Sequence, residues 1–203
     1  MRQPKSTIQK VHILVLSTLF AIGLLTFGSS PALCQKAETI EATAMGTGTQ
    51  LGQNVEIRLT ISDYSTMEER QVLTDAFAKG QNNGLVSALQ KMRAVGRLSL
   101  TFTVGYDVSF IRMIPTPTGR KIRFITNRPI RFGEAWTDSQ SQSFDLSGGE
   151  IDINDQDKSK STGVFFPRAQ LVIDKQGQLQ IDLSQNSWKL VDVLDWKGTP
   201  GVN

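Results

Sequence analysis

The chain has 203 residues, with 22 Lys+Arg against 19 Asp+Glu and a single histidine and cysteine, His12 and Cys34. Both fall in the first 34 residues, so the 169 that follow hold no disulfide, thiolate–imidazole zinc site, cysteine nucleophile or Ser-His-Asp triad. Arg2, Lys5 and Lys10 fall there too; beyond them basic and acidic residues balance, which removes the charge argument for a nucleic-acid partner.

Residues 1–34 read as an export signal. A basic, acid-free start precedes an apolar run from Val11 to Phe27, and the small-residue exit Gly28 to Cys34 follows. Ala32 and Cys34 fit the small positions before a cut after Cys34. The competing readings are a lipoprotein cut before Cys34 and an uncleaved anchor, for which the run is slightly short. The expected location is periplasmic or extracellular, with membrane contact only through this segment.

Lys36 to Gln53 is small and polar and reads as an entry to a first strand. Val55, Ile57, Leu59 and Ile61 alternate with polar residues, the pattern of a strand with one buried face. Ser65 to Glu68 matches a capping box. Val72, Leu73, Ala76 and Phe77 make an apolar stripe closed by Lys79-Gly80. After Gln81-Asn82-Asn83 a second stripe runs through Leu85, Val86, Ala88, Leu89 and Met92. The spacing predicts a two-helix hairpin over about 66–93.

From Arg97 on, strands and turns follow. Leu98, Leu100, Phe102 and Val104 alternate with polar residues, and Gly105 breaks the run before Tyr106 to Ile114. Pro115 to Gly119 reads as a turn in which Gly119 takes positive φ. Ile122 and Phe124 continue, Phe144 and Leu146 start another run bent at Gly148-Gly149, and Ile151 and Ile153 extend it. Leu171 and Ile173 meet Leu179, Ile181 and Leu183 across Asp174 to Gly177, a hairpin signature, and Trp188 to Leu194 form the last strand. Short turns imply antiparallel pairing. The expected fold is one α+β domain over residues 35–203. It has a curved or barrel-like antiparallel sheet of seven to nine strands with the helical hairpin packed on it.

Three groups of residues are candidates for chemistry. Arg112, Arg120, Lys121, Arg123, Arg128 and Arg131 lie in a stretch without acids between Asp107 and Glu134. Guanidiniums on neighbouring strands grip phosphate or carboxylate bidentately, so Arg112, Arg123, Arg128 and Arg131 are the candidate ligand-binding residues. Against this stands the acidic stretch 134–157, whose strands would pair with the basic ones across the sheet. Asp152, Asn154, Asp155 and Asp157 fail the glycine and glutamate positions of a calcium loop and read as a solvated turn. Glu134 and Asp138 flank Trp136, the arrangement for a carboxylate-dependent, glycosidase-like hydrolase. No nucleophile elbow or phosphate-cradling glycine loop is present, and no cofactor or metal is expected.

The runs Ser65-Thr66-Met67-Glu68-Glu69-Arg70, Leu89-Gln90-Lys91-Met92 with Gly96-Arg97, and Thr126-Asn127-Arg128-Pro129-Ile130 together resemble a group of small exported bacterial proteins without assigned activity. That group has Thr-Asp-Arg-Pro where this chain has Asn127. The resemblance implies export and a single domain, and it carries no catalytic or binding residue. The reading as a whole is a non-catalytic exported domain that binds a small molecule, lipid or envelope component, anionic in character. A hydrolase or an envelope assembly protein is the alternative.

Overall fold

The structure, a computed structural model, describes residues 37–48, 51–130, 145–183 and 186–196. The expected signal segment, together with Arg131, Glu134, Trp136 and Asp138, lies outside them. The strands in chain order are β1 (Glu38–Met45), β2 (Asn54–Ile61), β3 (Gly96–Leu100), β4 (Tyr106–Thr116) and β5 (Gly119–Thr126). They continue as β6 (Gly148–Asn154), β7 (Thr162–Phe166), β8 (Leu171–Ile173), β9 (Leu179–Ile181) and β10 (Trp188–Trp196). β1 to β7 and β10 pair antiparallel with their neighbours, and β10 returns to β1, closing an eight-stranded barrel. Closure leaves no open edge for another chain to extend. β8 and β9 form a separate hairpin.

The period-two pattern read from the sequence fills the barrel. Ile40, Leu59, Leu98, Ile122, Phe124, Ile151, Phe165 and Leu190 point inward from seven of the eight strands and are all buried. An eight-stranded barrel either packs its interior with side chains or holds one small ligand. Here buried side chains of the described strands occupy it. Phe124 and Phe165 lie across β6 from each other with Gly149 between them in register. Their rings stack with centroids 6.4 Å apart, and a Cβ on Gly149 would sit 2.5 Å from the Phe124 ring. Gly148 and Gly149 therefore serve packing inside β6 rather than a bend.

Three local expectations are corrected. First, in place of a two-helix hairpin there is one helical element, α1 (Met67–Leu89), sharply kinked where Gly80 and Gln81 leave helical geometry, so that a Cβ on Gly84 would meet the Ala76 carbonyl at 2.1 Å. Asn82 does not fall in a loop, because its side chain accepts from the Leu171 N–H (3.0 Å) and fixes α1 to β8. The capping box is Thr66 with Glu69, one residue later than expected. Ser65 instead exchanges hydrogen bonds with the Ile111 backbone of β4. Second, Gly119 does not take positive φ; it opens β5, and a Cβ there would meet the Ile153 carbonyl at 2.1 Å. Third, β3 stops at Leu100, and Phe102 and Val104 are exposed in the following turn despite their strand-like alternation.

A second apolar layer coats the outside of the barrel. Leu73, Phe77, Leu85 and Leu89 of α1 pack on Phe110 and Ile125, the outward residues of β4 and β5, with Leu146 and Leu171. Phe166, Ala169 and Ile181 join the β8–β9 hairpin to the neighbouring wall. The barrel has two ends. The upper end carries Glu38, the β4–β5 turn and Asp195, and the lower end carries the β1–β2 and β3–β4 connections.

Candidate anion site on the outer wall of the barrel

Arg112 on β4 and Arg123 on β5 are direct cross-strand partners, and Arg123 is in turn opposite Glu150 on β6. The three project outward in one row. Arg123 donates from Nε (3.0 Å) and Nη2 (2.7 Å) to a single Glu150 oxygen, and Lys121 Nζ lies 2.6 Å from the other. Burial of Glu150 opposes its charge, but the hydrogen bonds from Lys121 and Arg123 outweigh it and hold the carboxyl below its ordinary range. The cross-sheet pairing weighed against an anion site thus exists for Arg123 and Lys121.

It does not extend to Arg112. Among the described residues no carboxylate bonds its guanidinium. Like charges directly opposed across a sheet are destabilising, and a third cation, Arg70, comes over the pair from α1. Ser65 fixes the start of α1 to the backbone beside Arg112, and Arg70 stands one turn further along. A cation so near the positive end of a helix is placed against the helix dipole. Partial burial, followed by repulsion from Arg70 and Arg123, pulls the Arg112 pKa below its ordinary value, although a guanidinium stays charged. The three arginines open on a narrow crevice walled by Leu73, Phe110, Ile125 and Leu179. Its volume, about 10 Å³, is the space of about one water, so a larger anion would rest at its mouth.

The other candidates go elsewhere. Arg128 is exposed and bonds Asn127 Oδ1 at 3.2 Å, and it does not line the crevice. Its neighbours explain the Thr126-Asn127-Arg128-Pro129-Ile130 run in structural terms. Thr126 Oγ1 donates to the Arg128 carbonyl (2.6 Å), Ser147 Oγ accepts from the Ile130 N–H (2.6 Å), and Ile130 is buried. In the acidic turn Asn154 Oδ1 accepts from the Gln156 and Asp157 N–H groups, and Asp157 pairs with Lys160 at 3.1 Å. Among the described residues no group of three or more His, Cys, Asp or Glu side chains is placed to hold a metal. Arg131 and the Glu134–Asp138 pair lie outside the described residues.

Two features were not singled out from the sequence. Arg70 sits in a helix, remote from the basic stretch. The second is a charged cluster in the upper mouth of the barrel. Arg120 Nη2 bonds Glu38 and, at 2.7 Å, Asp195, while Tyr64 Oη donates to Glu38 at 2.8 Å. Burial raises Asp195 to about 6; attraction to Arg120 opposes the shift and the Glu38 carboxyl reinforces it. Burial, and then the bond to Glu38, also push the Tyr64 hydroxyl up. The signal for this cluster was present: Arg120 is in phase with Ile122 and Phe124, and Glu38 with Ile40, on the inward faces of their strands. A broader groove of about 600 Å³ lies over β1, β2 and β3, where Arg58 is already paired with Glu41 at 2.6 Å.

Comparison with protein families, curated proteins and solved structures gives no match.

Proposed function

We propose that this chain is an exported, non-catalytic binding domain whose barrel wall holds an anionic group between Arg70, Arg112 and Arg123. The observation that carries the reading is Arg112. It is a half-buried guanidinium without a carboxylate partner among the described residues, held against two further arginines. An oxyanion bound there supplies the missing counter-charge, and a guanidinium takes phosphate or carboxylate through two parallel hydrogen bonds. The crevice walls are apolar, which suits an anion carrying a hydrocarbon portion. The described side chains lining the crevice include no nucleophile or general base, which favours binding over turnover.

The test is calorimetric titration with inorganic phosphate and with an alkyl phosphate. Saturable binding by the native chain, lost in Arg112→Gln and kept in Arg128→Gln, is the expected outcome. Equal binding by Arg112→Gln would remove the site.

A further inference from the structure

We infer that the lower rim of the barrel is a membrane-contact surface that dips into the interfacial layer of a lipid bilayer through Leu51, Phe102, Val104 and Leu183. Three connections on consecutive strands β10, β1, β2, β3 and β4 follow one another around this rim, and the described residues place 46–48 with 51–53, 101–105, and 183 with 186–187 there. Thr47 Oγ1 donates to the Ser187 carbonyl and ties the first to the third. None of the three contains Asp, Glu, Lys or Arg. They nevertheless carry the three most exposed large apolar side chains among the described residues, Phe102, fully exposed, Val104 at 88% and Leu51 at 83%, and Leu183 adds a fourth at 60%.

The exposure is built rather than incidental. Phe102 has φ +63°, a left-handed conformation that costs a non-glycine residue energy. The turn holds it there with bonds from both sides. Thr103 N–H and Oγ1 donate to the Leu100 carbonyl at 3.0 and 2.9 Å, the Leu100 N–H returns a bond to Thr103 Oγ1 at 3.1 Å, and the Thr101 N–H donates to Glu56 at 3.1 Å. Arg97 fixes the next residue by donating twice to the Val104 carbonyl, from Nε at 3.1 Å and Nη2 at 2.7 Å. Strain that the surroundings over-determine marks positions where display outweighs stability.

The occupant follows from charge and area. Connections that carry no charged residue of their own enter a low-dielectric layer without the cost that buried charges impose, and the Arg97–Asp107 pair behind Val104 stays on the polar side of that layer. Its four apolar side chains offer roughly 500 Å², below the ~800 Å² a side that a stable protein interface takes. Leu51, Phe102 and Val104, the most exposed of the four, stand on two separate connections, which suits a fluid apolar phase better than one matching pocket for each.

The experiment uses the full chain carrying Cys34→Ser, with one environment-sensitive nitrobenzoxadiazole label at Phe102→Cys, Leu51→Cys or Thr118→Cys. The last position lies in the β4–β5 turn at the opposite end. On adding phosphatidylcholine vesicles, labels at 102 and 51 should shift to the blue, brighten at least two-fold and be quenched by brominated acyl chains. The label at 118 should not respond. The 102 and 51 responses should be equal in vesicles containing anionic lipid. A chain labelled at 51 with Phe102→Asp and Val104→Asp should partition at least ten-fold more weakly. Silence at 102, an equal response at 118 or a response confined to anionic lipid would overturn the inference. So would a shift that grows with protein concentration in the absence of vesicles, which would mark a second copy as the occupant.

Discussion

Arg112 is expected to reduce the stability of the free protein, so removing its charge should help the fold while abolishing anion binding. Each like-charge pair directly across a sheet costs about 0.2–1 kcal/mol. Arg112 faces Arg123 in register and Arg70 from the helix, and it is partly screened by solvent. The net gain for Arg112→Gln is therefore about 1 kcal/mol, or ~2–4 °C in Tm for a domain of this size. Thermal melts in phosphate-free buffer at 20 mM and 1 M NaCl measure it. The gain should be present at low salt and shrink at high salt, because screening removes the repulsion that the substitution relieves. Added phosphate should raise the native Tm and leave the variant unchanged. A variant that is less stable at low salt would refute the reasoning, since it would mean that Arg112 has a compensating partner.

The upper mouth of the barrel gives a pH dependence. Asp195 in the folded chain, at about 6, holds its proton more tightly than an unfolded aspartate at 3.8. Its contribution is thus complete below pH 3.8 and is lost as pH rises through about 6, on the order of 2 kcal/mol. Asp195→Asn should flatten this part of the stability profile in urea melts between pH 4 and 7. Arg120→Met strips Glu38 and Asp195 of their shared cation and should cost ~3–5 kcal/mol, recovered in part by Asp195→Asn. Gly149→Ala puts a methyl against the Phe124 ring and should cost about 1–3 kcal/mol; pairing it with Phe124→Leu tests the clash. Phe102→Gly relieves the left-handed strain without losing buried area, so it should raise Tm while removing the tip that meets the vesicle.

Period-two alternation was the most legible feature of the chain. Ile57, Leu59 and Ile61, or Ile122 and Phe124, announce an inward face from sequence alone, and short turns between such runs imply antiparallel order. Closure was less legible, because β1 and β10 meet across almost the full length of the chain and no local signal announces that pairing. The helical segment misled for a local reason. Gly80 and the polar Gln81-Asn82-Asn83 read as a loop, whereas the break at Gly80 and Gln81 is a kink inside one helical element and Asn82, just beyond it, serves β8. The β3 pattern failed in a more informative way. Phe102 and Val104 continue the apolar phase of Leu98 and Leu100, yet the turn after Leu100, with Phe102 at positive φ, exposes both.

The candidate site was half legible. The basic stretch named Arg112 and Arg123, but composition could not say which arginine Glu150 would take, because that depends on register. It could not bring in Arg70, which reaches the row only through the anchoring of α1 at Ser65. Arg128 lies in the same stretch, two residues beyond the end of β5, and it turns to Asn127.

The most direct test of the account is a phosphate titration of the ¹⁵N-labelled protein followed at its arginine side-chain Nε–Hε resonances. The account predicts saturable shifts concentrated on Arg70, Arg112 and Arg123, with Arg58, Arg97 and Arg128 unmoved. Shifts spread evenly over the exposed arginines, or none at Arg112, would contradict it and leave the three arginines as an unrelieved strain of the fold.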